Sequence, residues 1–299
     1  MTDNGWINLY KPPNITSFKA INKIKKKFNL KKIGHAGTLD PNAEGILPIA
    51  FGRTTKLISF INNSRKEYYF EITWGSQTVT DDKDGEVIAR SKNIPNYNEI
   101  ENKLKFFLGN IMQKPPKVSA VKINGKRAYK RVLKKEQFET NFKFVKVYQL
   151  KIIDFPSKFI TKFFIECGKG FYIRSFARDL AETLNSKAHI SFLKRSSVGK
   201  FKENNSILLD DLLKIGQMDF GINGINNSIS MLDDIPAIKI DSNDLIKDIS
   251  YGKKIKINSF EYETLINKNN KVLFAINKEN IISIGNLNNG YFLPKKVFI

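Results

Sequence analysis

The 299-residue chain carries 50 Lys and Arg against 29 Asp and Glu, a formal net charge of +21, and a single cysteine. That length suffices for one large domain or two ordinary ones with their own cores. The lone cysteine excludes an intramolecular disulfide, and no charge-free apolar run is long enough to span a bilayer, so the chain is read as cytoplasmic with no membrane partner. The positive surplus favours a polyanionic partner such as RNA, although a Lys-, Asn- and Ile-rich composition makes a protein basic by itself.

In chain order, Gly5 to Pro12 reads as a short strand stopped by Pro12-Pro13. Thr16 or Ser17 then caps a helix whose apolar residues Phe18, Ile21, Ile24 and Phe28 recur at helical spacing. The next stretch, GHAGTLDPNAEG from Gly34 to Gly45, gathers three glycines, one proline, one of the two histidines and two carboxylates. Its glycines permit backbone conformations that a Cβ forbids, and Pro41 holds Asp40 extended. The result is a short acid on a stiffened loop. Taken alone, Asp before Pro is most often a turn former. The following Gly52-Arg-Thr-Thr-Lys56 lacks the glycine spacing of a phosphate loop. Two histidines remote from each other and one cysteine do not make a metal site.

Lys66 to Trp74 alternates as a strand, with Tyr68, Phe70, Ile72 and Trp74 on one face. Gly85 opens a further strand through Ala89, and Pro95 to Leu108 is predicted helical, ending at Gly109. Pro115 to Gly125 reads as a strand running into a hairpin turn at Asn124-Gly125. The basic segment Gly125 to Lys135 follows, and its Lys126, Arg127, Lys130 and Arg131 suit phosphates or a solvated helix face. Strands around 143–152 and 159–167 lead to Gly168-Lys-Gly170 and a helix burying Ile173, Phe176, Ala177, Leu180 and Leu184. That glycine turn offers amides to an anion. On spacing alone, Arg174 pairs either with a distant carboxylate or with Asp179 or Glu182. Asn204 to Leu213 reads as a capped helix and Gly216 to Ser230 as a linker. From Ile235 the texture is one of short strands with turns at Gly252, Asn269-Asn270 and Asn289-Gly290.

Two motifs carry a family resemblance. GHAGTLDPNAEGILPIAFGRTTKL, Gly34 to Leu57, resembles the signature of TruB-type tRNA pseudouridine synthases, and GKGFYIRSFARDL, Gly168 to Leu180, is similar to a second one. The resemblance implies an α+β fold over residues 1–234, a mixed or antiparallel pseudouridine synthase-type sheet with peripheral helices. Residues 235–299 resemble a small β-barrel PUA-like RNA-binding domain. The implied activity is isomerisation of the uridine at position 55, in the T-loop of tRNA, to pseudouridine, by a monomer without cofactor or metal. By the same resemblance Asp40 is the catalytic aspartate and Arg174 pairs with it. Tyr68 stacks on the target base and offers its hydroxyl for acid–base work. His35 enters the folded RNA loop beside the base, while Tyr172 and Leu193 line the uridine pocket. Lys11, in the Lys-Pro opening motif, is grouped with Lys126, Arg127, Lys130 and Arg131 as RNA backbone contacts. Val79 and Val118 depart from the family pattern, which has Asp and Tyr there, and His189 reads as structural. Three other classes stay open: a glycosidase, for which Glu44 is the only local second carboxylate, a non-catalytic tRNA-folding or RNA-binding factor with the same fold, and a structural scaffold without salt-sensitive RNA binding.

Overall fold

The computed structural model describes residues 3–119, 121–123, 125–134, 136–232, 235–258, 272–278 and 280–299. One large mixed sheet organises residues 5–226. At its centre Lys66–Trp74 pairs antiparallel with Ile160–Cys167 on one side and Ala188–Val198 on the other. Beyond Ile160–Cys167 lie Lys143–Ser157 and the edge strand Gly109–Gln113. On the other side Ala188–Val198 meets Glu44–Phe51 in parallel, through Lys194 and Arg195 against Glu44 and Gly45 alone, and Glu44–Phe51 pairs antiparallel with Gly5–Lys11.

Alternation decides which side chains face inward. Tyr68, Phe70, Ile72 and Trp74 are all buried, and they share one core with Phe163, Ile165 and the helix Ile173–Thr183, as their period of two requires. Phe176 of that helix packs edge-on against Phe70, Phe107 and Phe163. The strand Glu44–Phe51 is buried on both faces, which is why it reads as a continuous apolar run. Leu47, Ile49 and Phe51 pack under the helix Ser17–Lys27, whereas Ile46 and Ala50 face the C-terminal sheet.

Several elements differ from expectation. Thr16 is the cap, its hydroxyl accepting from the Lys19 amide, but Phe18 is 70% exposed, because the buried stripe runs through Ala20, Ile21 and Ile24 instead. The predicted helix before Gly109 is α-helical only over Tyr97–Leu104 and tightens to a 3₁₀ turn at Lys105–Phe107. The predicted strand from Pro115 shrinks to Lys122–Ile123 pairing Lys126–Arg127; Asn124 of its turn lies outside the described residues. The Asn204–Leu213 segment is α-helical only over Leu209–Lys214, without a side-chain cap, and a 3₁₀ turn at Glu203–Asn205 precedes it. The expected linker Gly216 to Ser230 joins the sheet, where Ile225 and Asn226 pair with Ile7 and Trp6, and Met218 is buried.

The C-terminal residues form a separate five-stranded sheet in the order Ala237–Lys239, Val272–Asn277, Asn280–Asn288, Tyr291–Val297, Ile255–Lys256. Asn289 and Gly290 turn its last hairpin with φ of 47° and 77°. Asn269-Asn270 lies outside the described residues. A helix at Asn243–Ser250, capped by Ser242, was not expected among the strands.

Candidate active site

The Asp40 loop leaves the short strand Ile33–His35 and returns through Glu44–Phe51, and these two strands pair with each other. Three buried polar side chains from elsewhere grip its backbone at alternate residues. Ser17 Oγ both donates to the Leu39 carbonyl and accepts its amide, each at 3.0 Å. Arg195 Nη2 donates to the Gly37 carbonyl at 2.9 Å and its Nε to that of Ile46 at 2.8 Å. Lys11 Nζ donates to the carbonyls of Pro12, Ile15 and Pro41 at 2.8, 2.8 and 3.0 Å. Gly37 and Gly45 take φ of +90° and +104°, and a Cβ on Gly45 would overlap the Arg195 carbonyl.

Lys11 is therefore corrected from an RNA backbone contact to a buried clamp. It has no exposed surface, and its ammonium is consumed by three carbonyls. Burial pushes its pKa down to about 8, against an upward pull from Asp40.

The grip presents Asp40 to Arg174, which stands in the first turn of Ile173–Thr183. Nε and Nη2 of Arg174 meet the two carboxylate oxygens at 2.9 and 3.1 Å, a two-point pairing. The Arg174 side chain is 7% exposed and that of Asp40 37%. Nη1 donates to the carbonyls of Thr80 and Val118 at 2.9 and 3.1 Å, and Asp82 lies 3.7 Å from Nε. The Val118 contact is a backbone one, so it does not depend on the side chain found there. Val79 is exposed; the carboxylate that reaches Arg174 from this segment is that of Asp82. Asp179, proposed from spacing as a partner of Arg174, instead pairs with Arg178 at 2.8 Å, and Arg178 also meets Asp81 at 3.2 Å.

Two amides at the glycine turn before this helix, expected to be free, are already bonded. Gly168 N–H donates to Lys146, and the Tyr172 amide and carbonyl are clamped by the Gln113 side chain at 2.8 and 3.0 Å. The anion served by this helix start is Asp40, through Arg174.

A pocket of only about 30 Å³ lies against this pair, lined by Asp40, Asn42, Asp82, Arg174 and Leu193 among others. A larger groove of about 580 Å³ runs along the helix Ser17–Lys27 and does not include the carboxylate; the chemistry places the site at the smaller one. Tyr68 is buried and does not line that pocket, and its pKa is raised by burial, with the charge and a side-chain hydrogen bond of Arg195 opposing and Cys167 and Asp40 adding to it. The phenol thus holds its proton at neutral pH. Tyr172 is half-buried beside Arg174 and Asp40, and burial raises its pKa as well. His35 is half-buried, and desolvation followed by the Arg195 charge lowers its pKa, so the ring is neutral. Arg127 is exposed, and its charge reaches His35. Arg131 lies 3.5 Å from Glu136. The side chains of Lys126 and Lys130 lie outside what is described. His189 is structural as read, with Nδ1 2.9 Å from the Ser76 carbonyl.

Comparison with known proteins places the chain in a family. Residues 25–173 match the model of the TruB family pseudouridylate synthase N-terminal domain. A protein of Caulobacter vibrioides named tRNA pseudouridine synthase B is 35% identical over 99% of this chain and 96% of its own length. One of the same name from Wolbachia pipientis is 46% identical over 71% of this chain, which is 60% of that protein. The fold is shared with a solved Cbf5-Nop10-Gar1 complex, with a TM-score of 0.72 at 23% identity over 99% of this chain and 85% of that one. With residues 25–173 matching the family model and nearly its full length matching a relative at 35% identity, the chain belongs to the TruB family of pseudouridylate synthases.

Proposed function

We propose that the chain isomerises the uridine at position 55 in the T-loop of tRNA to pseudouridine, with Asp40 as the catalytic acid residue. The observation that carries the reading is the two-point Asp40–Arg174 pair at a pocket edge, on a loop held by three buried side chains. The relatives' shared name supplies the substrate class.

The target base is stacked in a folded loop and must be swung out, at a cost of roughly a few kcal/mol. A neutral His35 ring suits the vacated space, because it loses little hydration on stacking. The pocket beside Asp40 measures about 30 Å³ and is lined by Leu193 but not by Tyr172; in this reading it widens as the base arrives and Tyr172 joins its lining. Asp40 then acts on the sugar, by attack at the anomeric carbon or by removal of the neighbouring ribose proton, and the uracil is freed, rotates and re-bonds through carbon 5. Arg174 orients the carboxylate and balances its charge throughout. The carbon 5 proton leaves last, and the Tyr68 oxygen is the group assigned to take it. Residues 235–299 are read as a PUA-like RNA-binding domain, and Arg127 and its basic segment as backbone contacts. A monomer acting in the cytoplasm completes the reading.

The test is tritium release from carbon-5-labelled uridine in a tRNA transcript. Asp40→Asn is expected to lower release by roughly a thousandfold or more with tRNA affinity retained. A wild-type protein that binds and refolds the transcript without releasing tritium would instead be an RNA-folding factor.

A further inference from the structure

Arg195 takes part in no step above, yet its surroundings are unusual for a guanidinium. It is 1% exposed. Its hydrogen bonds run to the carbonyls of Gly37 and Ile46 and to the Tyr68 side chain, rather than to a carboxylate. Burying a charge in this way is costly, so packing alone does not account for an arginine at this position.

Register explains the Tyr68 contact. Arg195 stands directly opposite Tyr68 in the antiparallel pair of Ala188–Val198 with Lys66–Trp74, and Leu193 stands opposite Phe70. Directly opposed side chains in such a pair leave the sheet on the same face, about 5 Å apart at Cβ. Tyr68 and Phe70 belong to the inner face, so Arg195 and Leu193 share it. The charges acting on the phenol are Arg195, Cys167 and Asp40, and of these the Arg195 guanidinium acts most strongly and alone favours an anionic oxygen.

We propose that Arg195 is a positioning residue for Tyr68, its buried guanidinium holding the negative charge that builds on the phenolic oxygen as the carbon 5 proton is removed, while its carbonyl contacts lock that oxygen to the Asp40 loop. The inference rests on the reading of the reaction given above and adds a residue to it. In the step concerned, the carbon 5–hydrogen bond breaks and its electron pair restores the carbon 5–carbon 6 double bond, while the carbon 6–nitrogen 1 double-bond pair returns to nitrogen 1, which takes a proton from water. The proton passes to the Tyr68 oxygen, whose own proton leaves to water. Charge accumulates on that oxygen when loss to water runs ahead. A guanidinium has no lone pair to accept a proton, so Arg195 acts by its field and not as a base.

The experiment compares wild type, Arg195→Gln and Arg195→Lys on two transcripts, one with carbon-5-tritiated uridine and one with 5-fluorouridine at the target. Fluorine does not leave carbon as a cation, so the fluorinated RNA reports only the steps before deprotonation. Arg195→Gln is expected to rearrange the fluorinated base within about threefold of the wild-type rate while tritium release falls about tenfold or more. A carbon 5 deuterium isotope effect should emerge in this variant, and Arg195→Lys should regain part of the rate. Equal losses on both substrates, or none on either, would overturn the inference and leave Arg195 as a loop clamp. Where the Gln variant fails to bind tRNA, the same comparison is read from the Lys variant. A silent wild-type protein would overturn the proposed function itself, a distinct outcome.

Discussion

Lys11 spends all three ammonium hydrogens on carbonyls, one of them the carbonyl of Pro41 next to the Asp40 carboxylate. Replacing it with Met preserves the length of the side chain but strands three acceptors, of which Pro41 matters most for the position of Asp40. An unpaired buried acceptor costs about 1–3 kcal/mol, partly relieved here by removing a buried charge. Lys11→Met is therefore expected to lose about 2–4 kcal/mol in urea unfolding. Tritium release at saturating RNA should fall with it, because the loop carrying Asp40 loosens. The stiffened loop was legible from Gly37, Asp40 and Pro41 themselves, but the role of the acid and its pairing with Arg174 were legible only through the family resemblance of the two motifs. The sequence did not show the clamps. Among 50 basic residues, nothing local distinguishes a lysine swallowed by carbonyls from one facing phosphate, and Ser17, Gln113 and Arg195 act through contacts distant in sequence. Arg195 lay within a recognised segment, but its role follows only from the register that sets it opposite Tyr68.

Glycines separate backbone strain from collision at the level of elements. Gly45 and Gly109 both have positive φ, +104° and +80°. A Cβ on Gly109 meets nothing within 4 Å, whereas on Gly45 it runs into the Arg195 backbone at the one place where Glu44–Phe51 and Ala188–Val198 pair. Gly109→Ala is expected to cost about 1 kcal/mol, the strain alone. Gly45→Ala should cost about 3 kcal/mol or more, because the parallel junction must part. Equal midpoint shifts in urea would refute this distinction. The strand Lys66–Trp74 and the helix Ile173–Thr183 were legible because each has one buried face and a clear period. Gly216 to Ser230 was not, because Gly and Asn outnumber the few apolar residues, Met218 and Ile225 among them, that tie it to the sheet.

At the scale of the molecule, the two sheets share a core. Trp6, Ile46, Ala50 and Phe201 pack with Phe274, Ile281, Ile284 and Phe298. Lys296 Nζ donates to the Lys56 carbonyl at 3.0 Å, and Lys56 and Arg53 donate to the carbonyls of Val297 and Phe298. A hydrophobic seam of this kind opposes free swinging of the C-terminal sheet, so the RNA reading given to it implies a fixed geometry relative to Asp40.

Trp6 lies in that seam with no exposed surface, edge-on to Phe201, its indole N–H donating to the Ser228 carbonyl at 3.2 Å. The chain's other tryptophan, Trp74, belongs to the opposite core and donates to Thr161. The molecule thus carries one natural fluorophore in each half. In Trp74→Phe the remaining emission belongs to Trp6 and gauges the seam directly. Its red shift on heating is expected to coincide with the loss of far-ultraviolet circular dichroism, since a shared core melts as one unit. An earlier red shift would mean that the C-terminal sheet undocks while the large sheet still stands.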